Sequence, residues 1–141
     1  MEPDDQIAAP AKKAVVAVAG VIERDGLVLI GRRLDDDSYG GFWEFPGGKI
    51  EPGESPEECL ERELMEELGI RTAIGPELCV IEPSDTFKLI VHGATIIDGE
   101  PELREHSRLE WVTLDELDTF DLLPADRPVI RVLAERAQAG D

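Results

Sequence analysis

Apolar and polar residues alternate in blocks along this chain, and the first blocks predict a β-hairpin. Residues 14–23 (AVVAVAGVIE) are almost continuously apolar and rich in β-branched side chains, which is typical of a strand buried on both faces. Residues 24–26 (RDG) form a turn signal, and residues 27–32 predict the second strand. Residues 1–13 are polar, contain Pro3 and Pro10, and predict a flexible N-terminal tail.

The next block predicts a helix over residues 56–68 with signals at both ends. Ser55 fits the N-cap, Pro56 the first helical position and Glu58 the third, which is a capping box with its proline in a tolerated place. Gly69 predicts a left-handed end to the helix. Leucines at every fourth position give the helix an apolar stripe for packing: Leu60, Leu64 and Leu68.

The second half of the chain predicts three more strands, over residues 78–82, 86–97 and 107–112. A capping box at Thr113 predicts a short helix, and a closing helix should run from Asp126 or Arg127 to Ala137. Strands on both sides of a central helix, with another helix at the end, predict an α/β fold with one mixed sheet covered on both faces. We therefore expect a single domain over residues 14–141.

The charge balance narrows the possible partners. The chain has 141 residues, with 32 Asp and Glu against 14 Lys and Arg, and its formal net charge is −18. Such a surface repels phosphate backbones and anionic lipids, so we expect neither a nucleic-acid polymer nor a membrane as partner. No signal segment or membrane-spanning apolar stretch is visible, which favours a cytoplasmic location. Both a monomer and a homodimer are compatible with the sequence.

A few residues with reactive side chains are expected to be structural. Cys59 and Cys79 are too few for a disulfide framework, and we expect both to be small buried hydrophobes. His92 lies inside the predicted strand over residues 86–97, where a hydrogen-bonded histidine of the sheet is more plausible than a catalytic one.

Three glutamates share one edge of the predicted helix. Glu63, Glu66 and Glu67 fall within roughly a quarter turn of one another at 3.6 residues per turn. Their repulsion costs roughly a few tenths of a kcal/mol per pair. A divalent cation, which prefers oxygen ligands, would offset that repulsion. On this pattern alone, a solvated acidic face is the simpler alternative, and we expect Glu67 to face the surface.

The spacing of residues from Gly48 to Ile70 favours the cation site over a solvated acidic face. Five residues separate Gly48 from Glu54, seven separate Glu54 from the run Arg62-Glu63-Leu64, and Glu66-Glu67 and Gly69-Ile70 follow after single-residue gaps. This pattern resembles the signature box of the Nudix hydrolases at every defined position. The preceding run WEFPGGKIE, residues 43–51, is similar to the MutT-like branch, which hydrolyses nucleoside triphosphates. The resemblance implies a Nudix-type α/β/α sandwich with a central mixed sheet.

The resemblance also implies a role for each acidic residue of the box. Glu66 and Glu67 match the positions that bind Mg²⁺, for which Mn²⁺ is a possible substitute. Glu63 matches a residue that binds metal or acts as the base. Arg62 would orient Glu63, and Glu54 would support the loop and the helix.

Further metal ligands are implied outside the helix. The backbone carbonyl of Gly47 matches an additional ligand. In the family a glutamate from a later loop often completes the metal site. Here Glu105 is the best match and would belong to the catalytic set, while Glu102 is the competing candidate.

The resemblance also implies substrate contacts in and near the signature loop, which is the loop that precedes the predicted helix. Gly48 and Lys49 lie in that loop, and Arg33 ends the second predicted strand beside Arg32. A guanidinium can make paired hydrogen bonds to phosphate oxygens, although a solvated charge is an equal alternative for each arginine. Phe45, like Trp43, offers either an aromatic face to a nucleobase or a side chain to the core.

Asp126 occupies a position where MutT-type sequences that read 8-oxoguanine carry a side-chain amide. An ionised carboxylate only accepts hydrogen bonds, and it could accept one from the cytosine amine or from the N7–H of oxidised guanine. The alternative is that Asp126 simply caps the last helix, and it could also do both or neither.

Together the resemblance implies Mg²⁺-dependent hydrolysis of a nucleoside triphosphate to the monophosphate and pyrophosphate. It places 8-oxo-dGTP and cytidine triphosphates such as CTP and dCTP nearly level as substrates. A Nudix hydrolase of another nucleoside diphosphate derivative is one alternative. A non-catalytic nucleotide-binding sensor is another, although the intact Glu63, Glu66 and Glu67 count against it.

Overall fold

The computed structural model describes residues 14–140, and the predicted tail over residues 1–13 lies outside them. No helix in the described residues is long and apolar enough to cross a membrane. The strands and helices follow in this order: β1 Val15–Arg24, β2 Leu27–Arg33, β3 Trp43–Glu44, β4 Gly47–Lys49, α1 Pro56–Leu68, β5 Arg71–Ser84, β6 Phe87–Asp98, β7 His106–Val112, α2 Leu114–Leu117 and α3 Arg127–Ala139.

The strands form one mixed sheet around the parallel pair β1 and β6. β5 pairs antiparallel with β6, and β4 pairs antiparallel with the first half of β1. The end of β1 turns through Asp25 and Gly26, both with positive φ, into β2. β2 in turn pairs antiparallel with β3 and β7. The predicted hairpin and mixed sheet are therefore confirmed.

Helices cover both faces of this sheet, and the residues of β1 show how. Ala17, Ala19 and Val21 belong to a core that includes residues of α2 and α3. Val18 and Ile22 belong to a second core with the leucine stripe of α1. Because both faces of β1 are buried, the strand is apolar at consecutive positions. The predicted α/β/α sandwich is confirmed by these two cores.

The helix α1 begins and ends where its sequence signals place it. Ser55 Oγ accepts a hydrogen bond from the Glu58 N–H at 3.1 Å, and Glu58 Oε1 accepts one from the Ser55 N–H at 3.0 Å. Gly69 adopts a φ of 70° and donates its N–H to the Met65 carbonyl. These caps fix the start and end of the helix that carries the three glutamates.

The largest difference from the predicted elements is β5, which has 14 residues and begins at Arg71 rather than Leu78. Gly75 and Pro76 interrupt the sequence pattern of a strand and so hid its first half. In the structure the pairing register of β5 with β6 shifts between Ile74 and Glu77, and the two residues lie in this irregularity. Pairing with β6 therefore continues on both sides of the interruption.

Candidate functional site

A cavity of about 360 Å³ opens beside β1 and β4, next to the segment that precedes α3. Part of its wall is apolar and includes Ala17, Ala19, Phe87 and Leu89. The rest is mostly polar or charged. The lining brings together eight residues that the sequence assigned to the site: Arg33, Phe45, Gly47, Gly48, Lys49, Glu67, Glu105 and Asp126.

The other four predicted residues form an ion-pair network centred on Arg62. Its Nε and Nη2 donate to the two carboxylate oxygens of Glu54 at 2.6 and 3.0 Å. Its Nη1 donates to Glu63 and to Glu66, each at 3.2 Å. The hydrogen bonds from Arg62, followed by one from the Glu51 backbone, lower the pKa of Glu54 to about 2. Glu54 is therefore ionised at neutral pH and ties the loop before α1 to the helix.

Glu63 lies directly against the backbone of the signature loop. A Cβ atom at position 48 would collide with the Glu63 carboxylate, so a glycine at this position leaves space for it. The Glu63 side chain is only 16 % exposed, and burial raises its pKa. Glu63 thus connects the Arg62 network to the cavity through its neighbour Glu67.

Glu67 is buried, with 6 % of its surface exposed, so the expectation that it faces the surface is wrong. The physical reason is that α1 packs against β1 and β4, and Glu67 lines the same cavity as residues of both strands. Glu67 Oε1 has no hydrogen-bond partner. Burial and then the hydrogen bond with Glu63 raise the pKa of Glu67. A buried carboxyl in this setting needs a proton or a cation to neutralise it.

Glu44 and His106 also line the cavity, although the sequence analysis assigned no role to either. Glu44 Oε1 accepts a hydrogen bond from Arg33 Nη1 at 2.8 Å, and its Oε2 lies 2.8 Å from His106 Nε2. Arg33 also donates from Nε to the Ser38 carbonyl at 2.8 Å. The available sequence signals were weak: Glu44 lies in the WEFPGGKIE run, and His106 follows Glu105.

Asp126 occupies the N-cap position of α3, but its side chain makes no capping hydrogen bond, so the prediction of a side-chain cap is wrong. Its Oδ2 instead accepts a hydrogen bond from the backbone N–H of Phe45 at 2.9 Å. Asp126 is 4 % exposed, and burial raises its pKa to about 7 even though the Phe45 hydrogen bond acts in the opposite direction. Near neutral pH both forms are accessible, so Asp126 is not restricted to accepting hydrogen bonds.

The aromatic residues of the signature run belong to the core. Trp43 is 9 % and Phe45 is 3 % exposed, and both pack with the residues on the α3 side of the sheet. Phe45 nevertheless contributes to the cavity wall. It therefore combines a core position with a position in the site.

The two candidates for a later glutamate are separated by the structure. Glu105 lines the cavity, whereas Glu102 does not. Glu102 Oε1 accepts a hydrogen bond from Arg104 Nε at 2.9 Å, and the Glu102 N–H donates to the Leu68 carbonyl at the end of α1. Glu102 is thus directed to the helix end and Glu105 to the cavity.

Cys59, Cys79 and His92, which were expected to have structural roles, are buried or partly buried. Cys59 is fully buried, and burial raises the pKa of its thiol to about 12, so the thiol stays protonated at neutral pH. Cys79 is partly buried. His92 is buried in β6, and its Nδ1 lies 2.8 Å from the Gly75 carbonyl.

The residues around Glu67 fit a divalent cation with oxygen ligands. Among residues 14–140, no three His, Cys, Asp or Glu side chains are already gathered as a metal site. One reason is that Arg62 hydrogen-bonds Glu66, whose side chain is 52 % exposed. The unpartnered buried oxygen of Glu67, with the Glu63 carboxyl beside it and Glu105 in the same cavity, is nevertheless the donor type that Mg²⁺ and Mn²⁺ select.

Most of the chain is similar in sequence to known enzymes. It is 37% identical over 121 residues to the CTP pyrophosphohydrolase of Escherichia coli (strain K12), covering 84% of this chain and 90% of that protein. It is 36% identical over 125 residues to the 8-oxo-dGTP diphosphatase of the same strain, covering 86% of this chain and 97% of that protein.

A solved structure and a family model also match this chain. The solution structure of the E. coli ORF135 protein superposes with a TM-score of 0.77 at 33% sequence identity, over 98% of this chain and 97% of that chain. The NUDIX domain family model matches residues 11–133, which include the whole signature box and every candidate site residue. The chain therefore belongs to the Nudix family of hydrolases.

Proposed function

We propose that this protein is a divalent-cation-dependent pyrophosphohydrolase that converts a nucleoside triphosphate to the monophosphate and pyrophosphate. The observation that carries the proposal is the buried Glu67 carboxyl with an unpartnered oxygen, next to Glu63 and in a cavity that also holds Arg33. In a chain with a net charge of −18, a polyphosphate needs local positive charge before it can bind.

Glu67, Glu63 and Glu105 would hold the cation, with the Gly47 carbonyl as a further oxygen ligand. When bound, Mg²⁺ or Mn²⁺ neutralises phosphate charge and lowers the pKa of water. Glu66 would join this set after its hydrogen bond to Arg62 is broken. Because Arg62 keeps its paired bonds to Glu54, the guanidinium stays in place when Glu66 moves.

The remaining steps use groups of this chain. Glu63 or Glu105 removes the proton from the attacking water, since each is a carboxylate beside or within the cavity. Arg33 lines the cavity, with Nη1 donating to Glu44 and Nε to the Ser38 carbonyl, and its guanidinium would contact the phosphates. A phosphorus–oxygen bond of the bridge between the α- and β-phosphates breaks as the water oxygen bonds to the attacked phosphorus, which leaves the nucleoside monophosphate and pyrophosphate as products.

The nucleobase would occupy the apolar part of the cavity. Ala17, Ala19, Phe87 and Leu89 offer a hydrophobic wall, and Asp126 supplies a polar group within it. The matched E. coli proteins are named for CTP and for 8-oxo-dGTP. A carboxyl with a pKa of about 7 can accept a hydrogen bond from a cytosine amine when ionised and donate one when protonated. Both CTP and 8-oxo-dGTP therefore remain candidate substrates.

A panel of nucleotides tests the proposal. The panel contains 8-oxo-dGTP, dGTP, CTP, dCTP, 5-methyl-dCTP, a nucleotide sugar and a dinucleotide, and the products of each are identified in Mg²⁺ and in chelator. We expect Mg²⁺-dependent pyrophosphate from at least one member, and water labelled with ¹⁸O reports which phosphorus is attacked. Cleavage of only a nucleotide sugar or a dinucleotide supports the alternative Nudix substrate, and tight binding with no turnover supports the sensor.

A further inference from the structure

We propose that Arg104 and His106, which flank Glu105, are positioning residues that hold the Glu105 backbone so that its side chain reaches the same cavity as Glu67. The inference rests on the proposed function, because it concerns Glu105 as a ligand of the cation. Its basis is that each flanking residue is fixed to a different part of the site: Arg104 to the end of α1, and His106 to the sheet.

Arg104 connects the loop to the helix that carries the acidic residues. Its Nη1 donates to the Met65 carbonyl at 3.0 Å, one turn before the end of α1. Its Nε donates to Glu102 Oε1 at 2.9 Å, and Glu102 is itself joined to α1 through the Leu68 carbonyl. No basic residue lies in the last turn of α1, so Arg104 supplies the positive charge that a helix C-terminus favours.

Gly69 provides the space for this contact. A Cβ atom at position 69 would lie 2.7 Å from Arg104 Nη2 and 3.0 Å from Glu102 Oε1. The same residue has a φ of 70°, a conformation that glycine adopts without strain. One glycine therefore both ends the helix and leaves space for the guanidinium.

His106 fixes the other side of Glu105. It pairs with Arg33 in the β2–β7 register, and its Nε2 lies 2.8 Å from Glu44 Oε2. Its ring lies so close to Gly31 that a Cβ there would be 2.6 Å from the ring carbon Cδ2. His106 Nδ1 is buried without a partner, so the ring places its proton on Nε2 and donates to Glu44.

Glu105 lies between these two fixed residues, and consecutive Cα atoms are about 3.8 Å apart. Its backbone therefore has little freedom, while its exposed side chain lines the cavity that also holds Glu67. A ligand held this way loses less conformational entropy when the cation binds. Removing either flanking contact should weaken cation binding without removing a ligand.

Mn²⁺ binding to the full chain, measured by electron paramagnetic resonance of free Mn²⁺, tests the inference. We compare E105Q, R104Q and the double variant R104Q/E105Q, with R108Q as control. Arg108 is also exposed and paired with a nearby glutamate, at 2.9 Å from Glu110, so both arginine variants remove the same charge. Loss of a positive charge alone would strengthen Mn²⁺ binding slightly.

We expect R104Q to raise the Mn²⁺ Kd roughly 10-fold, as for other groups that orient a ligand, and R108Q to lower it only slightly through the lost charge. In the E105Q background, R104Q should have no further effect, because Arg104 acts through Glu105. A Kd that R104Q leaves unchanged, or equal effects of R104Q with and without Glu105, would overturn the inference.

Failure of the proposed function has a different signature. If E105Q itself leaves the Mn²⁺ Kd unchanged, Glu105 is not a ligand, and that part of the proposed function is wrong together with the inference. His106 supplies the second test: H106Q retains a donor for Glu44, whereas H106L does not. At equal melting temperature, H106L should weaken Mn²⁺ binding and H106Q should restore it, and equal Kd values for the two variants would contradict the role of His106.

Discussion

The backbone N–H of Phe45 donates to the buried Asp126 carboxyl at 2.9 Å, which joins two segments that are 81 positions apart in the chain. One segment is the signature run before α1, and the other is the start of α3. The contact places a titratable group in the cavity wall, beside the apolar surface proposed for the nucleobase.

D126N should make the protein more stable at high pH than the natural chain. Folding raises the pKa of Asp126 from 3.8 to about 7, so the folded state binds the proton more tightly than the unfolded state. The contribution of Asp126 to the stability of the natural chain therefore falls as the pH rises from about 4 to about 7, and the penalty is complete above that range. An asparagine does not titrate and can still accept from Phe45.

The measurement is urea unfolding of both proteins across that pH range. The free-energy difference in favour of D126N should grow by roughly 1–4 kcal/mol between the two ends and then level off. Repulsion from the overall negative charge is nearly the same in both proteins and cancels in the difference. A difference that is independent of pH would show that Asp126 is ionised in the folded protein throughout.

The same substitution should change base preference above the pKa of Asp126. There the natural carboxylate accepts hydrogen bonds only, whereas an asparagine both donates and accepts. We expect kcat/KM for 8-oxo-dGTP, divided by kcat/KM for dCTP, to rise roughly 10-fold. This change corresponds to the free energy of about one hydrogen bond. An unchanged ratio would mean that Asp126 does not contact the base.

E67Q should abolish turnover while leaving the metal-free fold intact. The glutamine lacks the charge that a cation needs, so kcat should fall by at least roughly 100-fold. Stability should be equal or higher, because a neutral amide replaces a buried carboxyl whose pKa is raised and can donate to Glu63. E61Q, an exposed position on the same helix, is the control for turnover and melting temperature. A large loss of melting temperature with normal turnover would refute this role of Glu67.

G48A should impair catalysis more than stability. The added Cβ would collide with the end of the Glu63 side chain, which can swing away at small cost in folding but not without losing its place beside Glu67. G93A is the control, because a Cβ at that position meets no atom within 4 Å. Melting temperature and kcat are measured together. Equal kcat for G48A and the natural chain would show that the position of Glu63 is unimportant.

R62K should lower kcat without changing the KM for the nucleotide. A lysine cannot make the paired bonds to Glu54 or reach Glu63 and Glu66 at the same time, and Arg62 does not line the cavity. We expect a loss of roughly 10-fold or more. The effect of R62K should be smaller in an E54Q background, since the two residues act as a unit. A rise in KM alone would place Arg62 among the substrate contacts instead.

The features predicted correctly depend on residues close together in the chain. The capping box uses Ser55 and Glu58, and the left-handed end of α1 follows from Gly69. The spacing of the signature box likewise places its residues on one loop and one helix. Local hydrogen bonds and helical periodicity are sufficient to determine these features.

The features that were missed depend on contacts between distant segments. Glu44 and His106 are 62 positions apart, and only the pairing of β2 with both β3 and β7 brings them together. The burial of Glu67 depends on the packing of α1 against the sheet, which the periodicity of the helix alone cannot predict. Asp126 had the sequence signal of a cap, but the tertiary bond to Phe45 replaced the local one.

The most direct measurement of the central claim is a crystal structure of the natural chain with Mn²⁺ and a non-hydrolysable triphosphate, using anomalous scattering to locate the ion. We predict an anomalous peak coordinated by Glu67, with Glu66 released from Arg62 and with phosphate oxygens on the same ion. A Glu67 carboxyl that remains paired with Glu63, with the peak absent or bound only by surface carboxylates, would contradict the account.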